Sequence, residues 1–188
     1  MTKQNGPYYD ENYLRQGSPT NTTFAETIPR IQATLGTIVL PATGVELAVG
    51  IPLQFGDVVA NLSFIIGATA AVTPTAGYVA LRSPAGALLA QSADFATTAR
   101  AANTAYTVAM TAAYLVSTPG LYYACISFTA GTIPTAHGMN LGNAVVAGAV
   151  ITGVPILAQS HGAAVGAVAP ATIATPTTVA TVPYLIAT

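Results

Sequence analysis

GYVALRSPAGALLAQSAD, residues 77–94, carries the clearest strand-and-turn signal in the chain. Two apolar runs flank Ser83-Pro84-Ala85-Gly86. Proline at the second position and glycine at the fourth suit a type I turn, because proline pre-sets the required φ and glycine tolerates the exit. The segment therefore reads as a β-hairpin. Alternation along its first strand puts Tyr78, Ala80 and Arg82 on one face and Val79 and Leu81 on the other. Upstream, DVVANLSFIIGA (57–68) repeats the signal. Val58, Ala60, Leu62, Phe64 and Ile66 share one face, and Asn61 and Ser63 share the other with Val59 and Ile65. That pattern is a strand with one dry face and one mixed face.

Working outward, the chain from Ile31 reads as short strands separated by turn residues. The expected strands are Gln32–Leu40, Val45–Leu53, Val58–Ala68, Gly77–Arg82, Ala87–Gln91, Tyr106–Met110, Leu121–Phe128, Ala144–Thr152 and Ile156–Gln159. Shorter ones are expected at Ala163–Val168, Thr172–Ala174 and Thr178–Ile186. Ten prolines between Pro41 and Pro183 punctuate them and leave little room for long helices. Ser92–Thr104 lacks an apolar stripe and reads as a loop with one or two turns at most. Many short strands at near-regular spacing indicate an all-β sandwich or barrel. The expected architecture is an antiparallel β-sandwich or barrel over residues 31–188, preceded by an extended N-terminal arm over residues 1–30. The arm has no apolar period, carries six of the eleven charges, and holds Tyr8, Tyr9 and Tyr13. Tyrosine joins apolar area to a hydroxyl and is enriched at interfaces, so these three are the expected docking residues.

Charge narrows the function. Charged residues make up 6% of the chain, against about 25% in a typical soluble domain. Net charge is −1, which gives no basic face for a phosphate backbone, so no nucleic-acid partner is expected. None of the eleven charges lies beyond Arg100. Either Thr, Ser, Asn and Gln form the wet face of that half, or another subunit covers it. A membrane span is not expected. The best apolar stretch, Ala144–Ala158, is short and interrupted by Gly148, Gly153 and Pro155. The N-terminus shows no apolar signal region.

Catalytic patterns are missing. No G-x-S-x-G and no phosphate loop occurs. Glu46, Asp57 and Asp94 have no spacing that pairs carboxylates. His137 and His161, each beside glycine, read as loop histidines, and metal binding would need long-range convergence. Cys125, in GLYYACISF, reads as an inert core thiol. Tyr106, Tyr114, Tyr122, Tyr123 and Tyr184 read as core or interface residues, with a sugar-binding platform as the rival. No cofactor is expected and no enzyme activity.

The run from Tyr78 to Thr135 resembles β-sandwich virion proteins of tailed bacteriophages of actinobacteria: minor tail, fibre-associated and head-decoration proteins. The features are the Pro-Ala-Gly turn, Gln-Ser-Ala-Asp after the second strand, the Thr/Ala-rich stretch leading to Ala-Tyr-Leu-Val, and Pro-Gly-Leu-Tyr-Tyr opening a strand. The resemblance covers about a third of the chain. It implies a jelly-roll-like antiparallel β-sandwich and a homo-oligomer, often a trimer, on a virion assembled in the bacterial cytoplasm. It implies other tail or capsid proteins as partners. The expectation is a minor tail protein, with a capsid decoration protein and a module binding host cell-surface glycan as alternatives.

Overall fold

The computed structural model describes residues 24–33, 37–96, 99–143, 148, 155–162, 165–173 and 176–188. In chain order the elements begin with β1 (Ala25–Glu26), α1 (Arg30–Ala33), β2 (Thr37–Val39), β3 (Val45–Leu53), β4 (Val58–Ile65), β5 (Val72–Arg82) and β6 (Leu88–Gln91). They continue with β7 (Ala105–Leu115), β8 (Gly120–Thr132), β9 (Thr135–Asn140), β10 (Ala158–His161), β11 (Thr177–Thr178), β12 (Thr181–Pro183) and β13 (Leu185–Ala187). The strands form three antiparallel sheets, ordered β1-β13-β4-β7, β11-β10-β3-β8-β5-β6 and β12-β9-β2. The expected all-β sandwich is the fold.

The hairpin of residues 77–94 forms as its turn chemistry dictates. The Gly86 amide donates to the Ser83 carbonyl at 2.9 Å, and Gly86 has φ of +83°. Around this hairpin, β3, β8 and β5 make the centre of the six-stranded sheet. Their odd and even residues go to different places. Leu47, Val49, Ile51, Val79, Leu81, Ala124, Ile126 and Phe128 point at the four-stranded sheet. There they meet Leu62, Phe64 and Leu185 in the main core. Phe64, Phe95 and Phe128 form an aromatic cluster with centroids 5.3–5.9 Å apart, spacings at which edge-to-face rings attract. Tyr78, Ala80, Tyr123 and Cys125 point the other way and are covered by Val165, Ala169 and Ile173.

Several expectations change. Strict alternation in β4 fails at its start. Val59 is buried and Val58 is exposed, whereas Leu62, Phe64 and Ile66 are buried as read. The cause is a β-bulge: the Ala60 and Asn61 amides both donate to the Thr188 carbonyl, at 2.8 and 2.7 Å. That extra residue on β4 flips the face, and the register with β7 jumps at the same place from Val59–Tyr114 to Asn61–Ala109, two residues of β4 against five of β7. The expected strand Gln32–Leu40 is instead the one-turn helix α1 and the short β2. Pro29 opens that turn, its carbonyl accepting the Gln32 amide at 2.9 Å.

Strand β9 was not expected, because TAHGMN has no apolar alternation. Its inward positions are small, and a Cβ on Gly138 would lie 2.4 Å from the Val182 carbonyl oxygen. The expected strand Thr178–Ile186 breaks at Tyr184. It also breaks after Thr178, which pairs with β10; Thr181–Pro183 pairs with β9 and Leu185–Ala187 with β4, so the segment reaches all three sheets. Of the segment Ala163–Val168, residues 165–168 are not strand, and Thr172 makes only a bridge with Ala87. Ala144–Thr152 lies outside the described residues, apart from Gly148. Among the described residues no helix is long and apolar enough to cross a membrane.

Candidate functional site

The most concentrated chemistry lies on the second face of the six-stranded sheet. Glu46 and Arg82 enter from β3 and β5, each a single charge in an apolar run. Their side chains are 0% exposed. Arg82 donates Nε to Glu46 Oε1 at 2.7 Å and Nη2 to Glu46 Oε2 at 2.9 Å, a planar fork on a carboxylate. Arg82 Nη1 reaches the Gly86 carbonyl at 3.2 Å, which ties the ion pair to the hairpin turn. The Tyr78 hydroxyl donates to Glu46 Oε2 at 2.6 Å. Across the sheet, His161, Glu46, Ser127 and Tyr78 are register partners. Ser127 Oγ is buried with no hydrogen-bond partner.

This cluster is sealed. Burial pushes the Cys125 thiol well above its ordinary value, and the Glu46 charge adds to that, so it stays a protonated, unreactive thiol. Burial also pushes the Tyr78 phenol up, with the negative charge of Glu46 second. For Arg82, burial pulls the guanidinium down, while the hydrogen bonds and charge of Glu46 push it up by more. The fixed geometry favours one arrangement of three strands and their cover. That cover is hydrogen-bonded along its length. Gly50 N donates to Leu157 O, Val165 N to Gly44 O, Leu88 N to Ala171 O, and the Tyr123 hydroxyl to Ile156 O.

A second polar cluster joins the start of the described chain to its end. Glu26 Oε1 accepts Arg30 Nη2 at 2.9 Å and the Tyr184 hydroxyl at 2.5 Å. Thr27 Oγ1 donates to Pro183 O at 2.8 Å and accepts from the Leu185 amide at 2.9 Å. Burial, then the bond to Glu26, pushes the Tyr184 phenol up to about 12. Residues 24–30, expected in the arm, are thus an edge of the sandwich. Tyr8, Tyr9 and Tyr13 lie outside the described residues.

The remaining charges also bond or stack within the chain. Asp57 Oδ2 accepts the Gln54 amide at 2.7 Å and closes the β3–β4 turn. Asp94 Oδ1 accepts the Gly77 and Ala96 amides. Arg100 stacks between Phe95 and Tyr106, 4.8 and 4.7 Å from the ring centres. All seven charges among the described residues therefore have partners within the chain. The tyrosines follow suit. Tyr78, Tyr122, Tyr123 and Tyr184 are buried with their hydroxyls donating to protein oxygens, and Tyr106 and Tyr114 are half-buried against the core. The exposed aromatic among the described residues is Phe55.

His137 and His161 are not loop residues. His137 lies in β9 with Nδ1 3.3 Å from the Ala33 carbonyl, and His161 ends β10, buried opposite Glu46. Among the described residues no three His, Cys, Asp or Glu side chains converge as a metal site would require. Sequence reasoning missed the Glu46–Arg82 pair. Its signal was two lone charges at inward positions of two apolar strands, which the sheet holds on either side of β8. No protein-family profile and no curated protein matches the chain.

Proposed function

We propose that this chain is a non-enzymatic structural protein of a tailed-bacteriophage virion, a minor tail protein that assembles as a homo-oligomer. The observation that carries the assembly role is the disposition of charge. Every charge among the described residues has a partner within the chain, and of these charged residues Arg30 and Asp94 alone are exposed, so the sandwich surface is made mostly of small, hydroxyl and apolar side chains. A free soluble domain relies on interspersed surface charge, whereas a subunit interface avoids it. The virion setting rests on the resemblance of residues 78–135. The buried tyrosines argue for this reading over a glycan-binding module, which needs exposed aromatic faces.

Incorporation into particles tests it. Deleting residues 1–23 leaves the sandwich folded and abolishes incorporation of the protein into virions. Deleting through Arg30 also removes β1 and the Glu26–Arg30–Tyr184 cluster, and unfolds the edge of the domain. Normal incorporation of the shorter deletion sinks the docking role of Tyr8, Tyr9 and Tyr13. Cryo-microscopy that places the chain on the capsid lattice converts the tail assignment to head decoration.

A further inference from the structure

We infer that the corner formed by Phe55, Val58, Leu115 and the bulged segment Thr111–Ala113 is the contact between copies of this chain. The inference rests on the homo-oligomer reading and names its surface. Val58 and Leu115 are direct register partners on β4 and β7, so their side chains stand side by side on the outer face. They are 44% and 61% exposed, and Phe55, in the adjoining β3–β4 turn, is 76% exposed. The turn is tied to the end of β7 by the Gly56 amide on the Val116 carbonyl and the Val116 amide on the Asp57 carbonyl. The three side chains thus share one rigid corner. Ile31, Val39, Val72 and Val168 are also exposed, but no strand register sets two of them side by side.

Two observations select a second copy as the occupant. The first is the strand edge. β7 ends its sheet, and no proline or charge from Ala105 to Leu115 protects it. Its bridge to Ser92 stops at Met110, and Thr111, Ala112 and Ala113 beyond it are exposed. Such an edge is satisfied by another strand, and a copy of the chain brings β7 itself. The second is charge. The outer face continues from the corner as Asn61, Ser63, Ala105, Thr107 and Ala109, with Ser63 and Thr107 hydrogen-bonded at 2.8 Å and no charge among them. The adjacent carboxylate, Asp57, is buried. A charged partner would leave its charges unpaired on this face. A copy of the same face meets it without repulsion, and a two-fold contact is self-complementary by construction.

The test is the native mass of the full chain by light scattering across a concentration series, for wild type, Leu115→Asp, Phe55→Ser and the deletion of residues 1–23. Near-ultraviolet circular dichroism checks the fold of each. Both point changes lie at exposed positions and leave the spectrum unchanged. Burying an unpaired aspartate raises the dissociation constant by about 100-fold or more, and Phe55→Ser by about 10-fold. Amide hydrogen exchange of residues 111–115 slows as wild-type concentration rises. A wild-type oligomer that both point variants leave intact overturns the corner while the homo-oligomer reading stands; dissociation by the deletion alone assigns the contact to the N-terminal segment. A wild-type chain that stays monomeric overturns the homo-oligomer reading itself, and the corner with it.

Discussion

The two faces of the six-stranded sheet come from the same strands, one residue out of phase, yet different forces hold them. The face toward the four-stranded sheet is dry and made of branched and aromatic side chains. Its stabilisation scales with the apolar area removed from water, about 1.5–3 kcal/mol for each large side chain fully buried. The opposite face is built around one carboxylate that receives hydrogen bonds from Arg82 and Tyr78. There the energy is close to all-or-none, because a buried charge without its partner keeps its desolvation penalty and loses its compensation. The sandwich is therefore cohesive on one side and registered on the other. Dispersion and burial tolerate small shifts, whereas a planar guanidinium–carboxylate fork does not.

The largest expected effect breaks the registered face. Glu46→Ala strands the Arg82 guanidinium and costs about 3–5 kcal/mol in urea unfolding. Replacing both Glu46 and Arg82 with methionine recovers most of that loss, since neither charge then needs to be desolvated. If the double variant is as unstable as the single one, the pair does more than compensate itself.

Tyr78→Phe comes next, at about 1.5–3 kcal/mol for a hydrogen bond to a charged group. It also changes the alkaline limb. Free tyrosine loses its proton near pH ~10, while folded Tyr78 and Tyr184 hold theirs to higher pH, Tyr184 to about 12. Above pH ~10 the unfolded chain binds fewer protons than the folded one, so stability falls as pH rises. Unfolding measured from pH 9 to 12 therefore slopes downward, and the slope is shallower in Tyr78→Phe and in Tyr184→Phe. An unchanged slope in both would remove these phenols from the account.

On the dry face, Ile126→Val removes one methylene and costs about 1 kcal/mol, in proportion to the atoms lost. The smallest effect sharpens the contrast. Ser127 sits between Glu46 and Tyr78, and its buried hydroxyl is unpaired. Ser127→Ala changes stability by under about 1 kcal/mol and toward greater stability, because an unsatisfied hydroxyl is removed. A loss of several kcal/mol would mean that Ser127 belongs to the polar cluster as a donor or acceptor.

Much of the fold was legible where local chemistry and burial agree. The limits of β3 match the expected strand, the Pro84–Gly86 turn forms, and Tyr78, Ala80 and Arg82 share a face as alternation requires. Cys125 is buried as its apolar run implied. Reading failed where a distant segment decides the outcome. The bulge at Ala60 depends on the Thr188 carbonyl, 128 residues away in the chain. β9 depends on the close approach of Val182 and Pro183 to Gly138. The lock on residues 24–30 depends on Tyr184. None of these leaves a local period or turn signal.

The sequence by itself determined the class of fold, through two-residue apolar alternation, frequent proline and turn glycine, and it determined that charge would be scarce. Those properties act between neighbours in the chain, so they can be read without coordinates. Tertiary structure alone decided where the scarce charge went. Glu46 and Arg82 are 36 residues apart, and Glu26 and Tyr184 are 158 apart. Only the antiparallel register brings each pair within hydrogen-bond reach. With Glu26, Glu46 and Arg82 drawn inside, little charge remains on the outer faces, and the side chains of the Phe55–Val58–Leu115 corner are exposed and apolar.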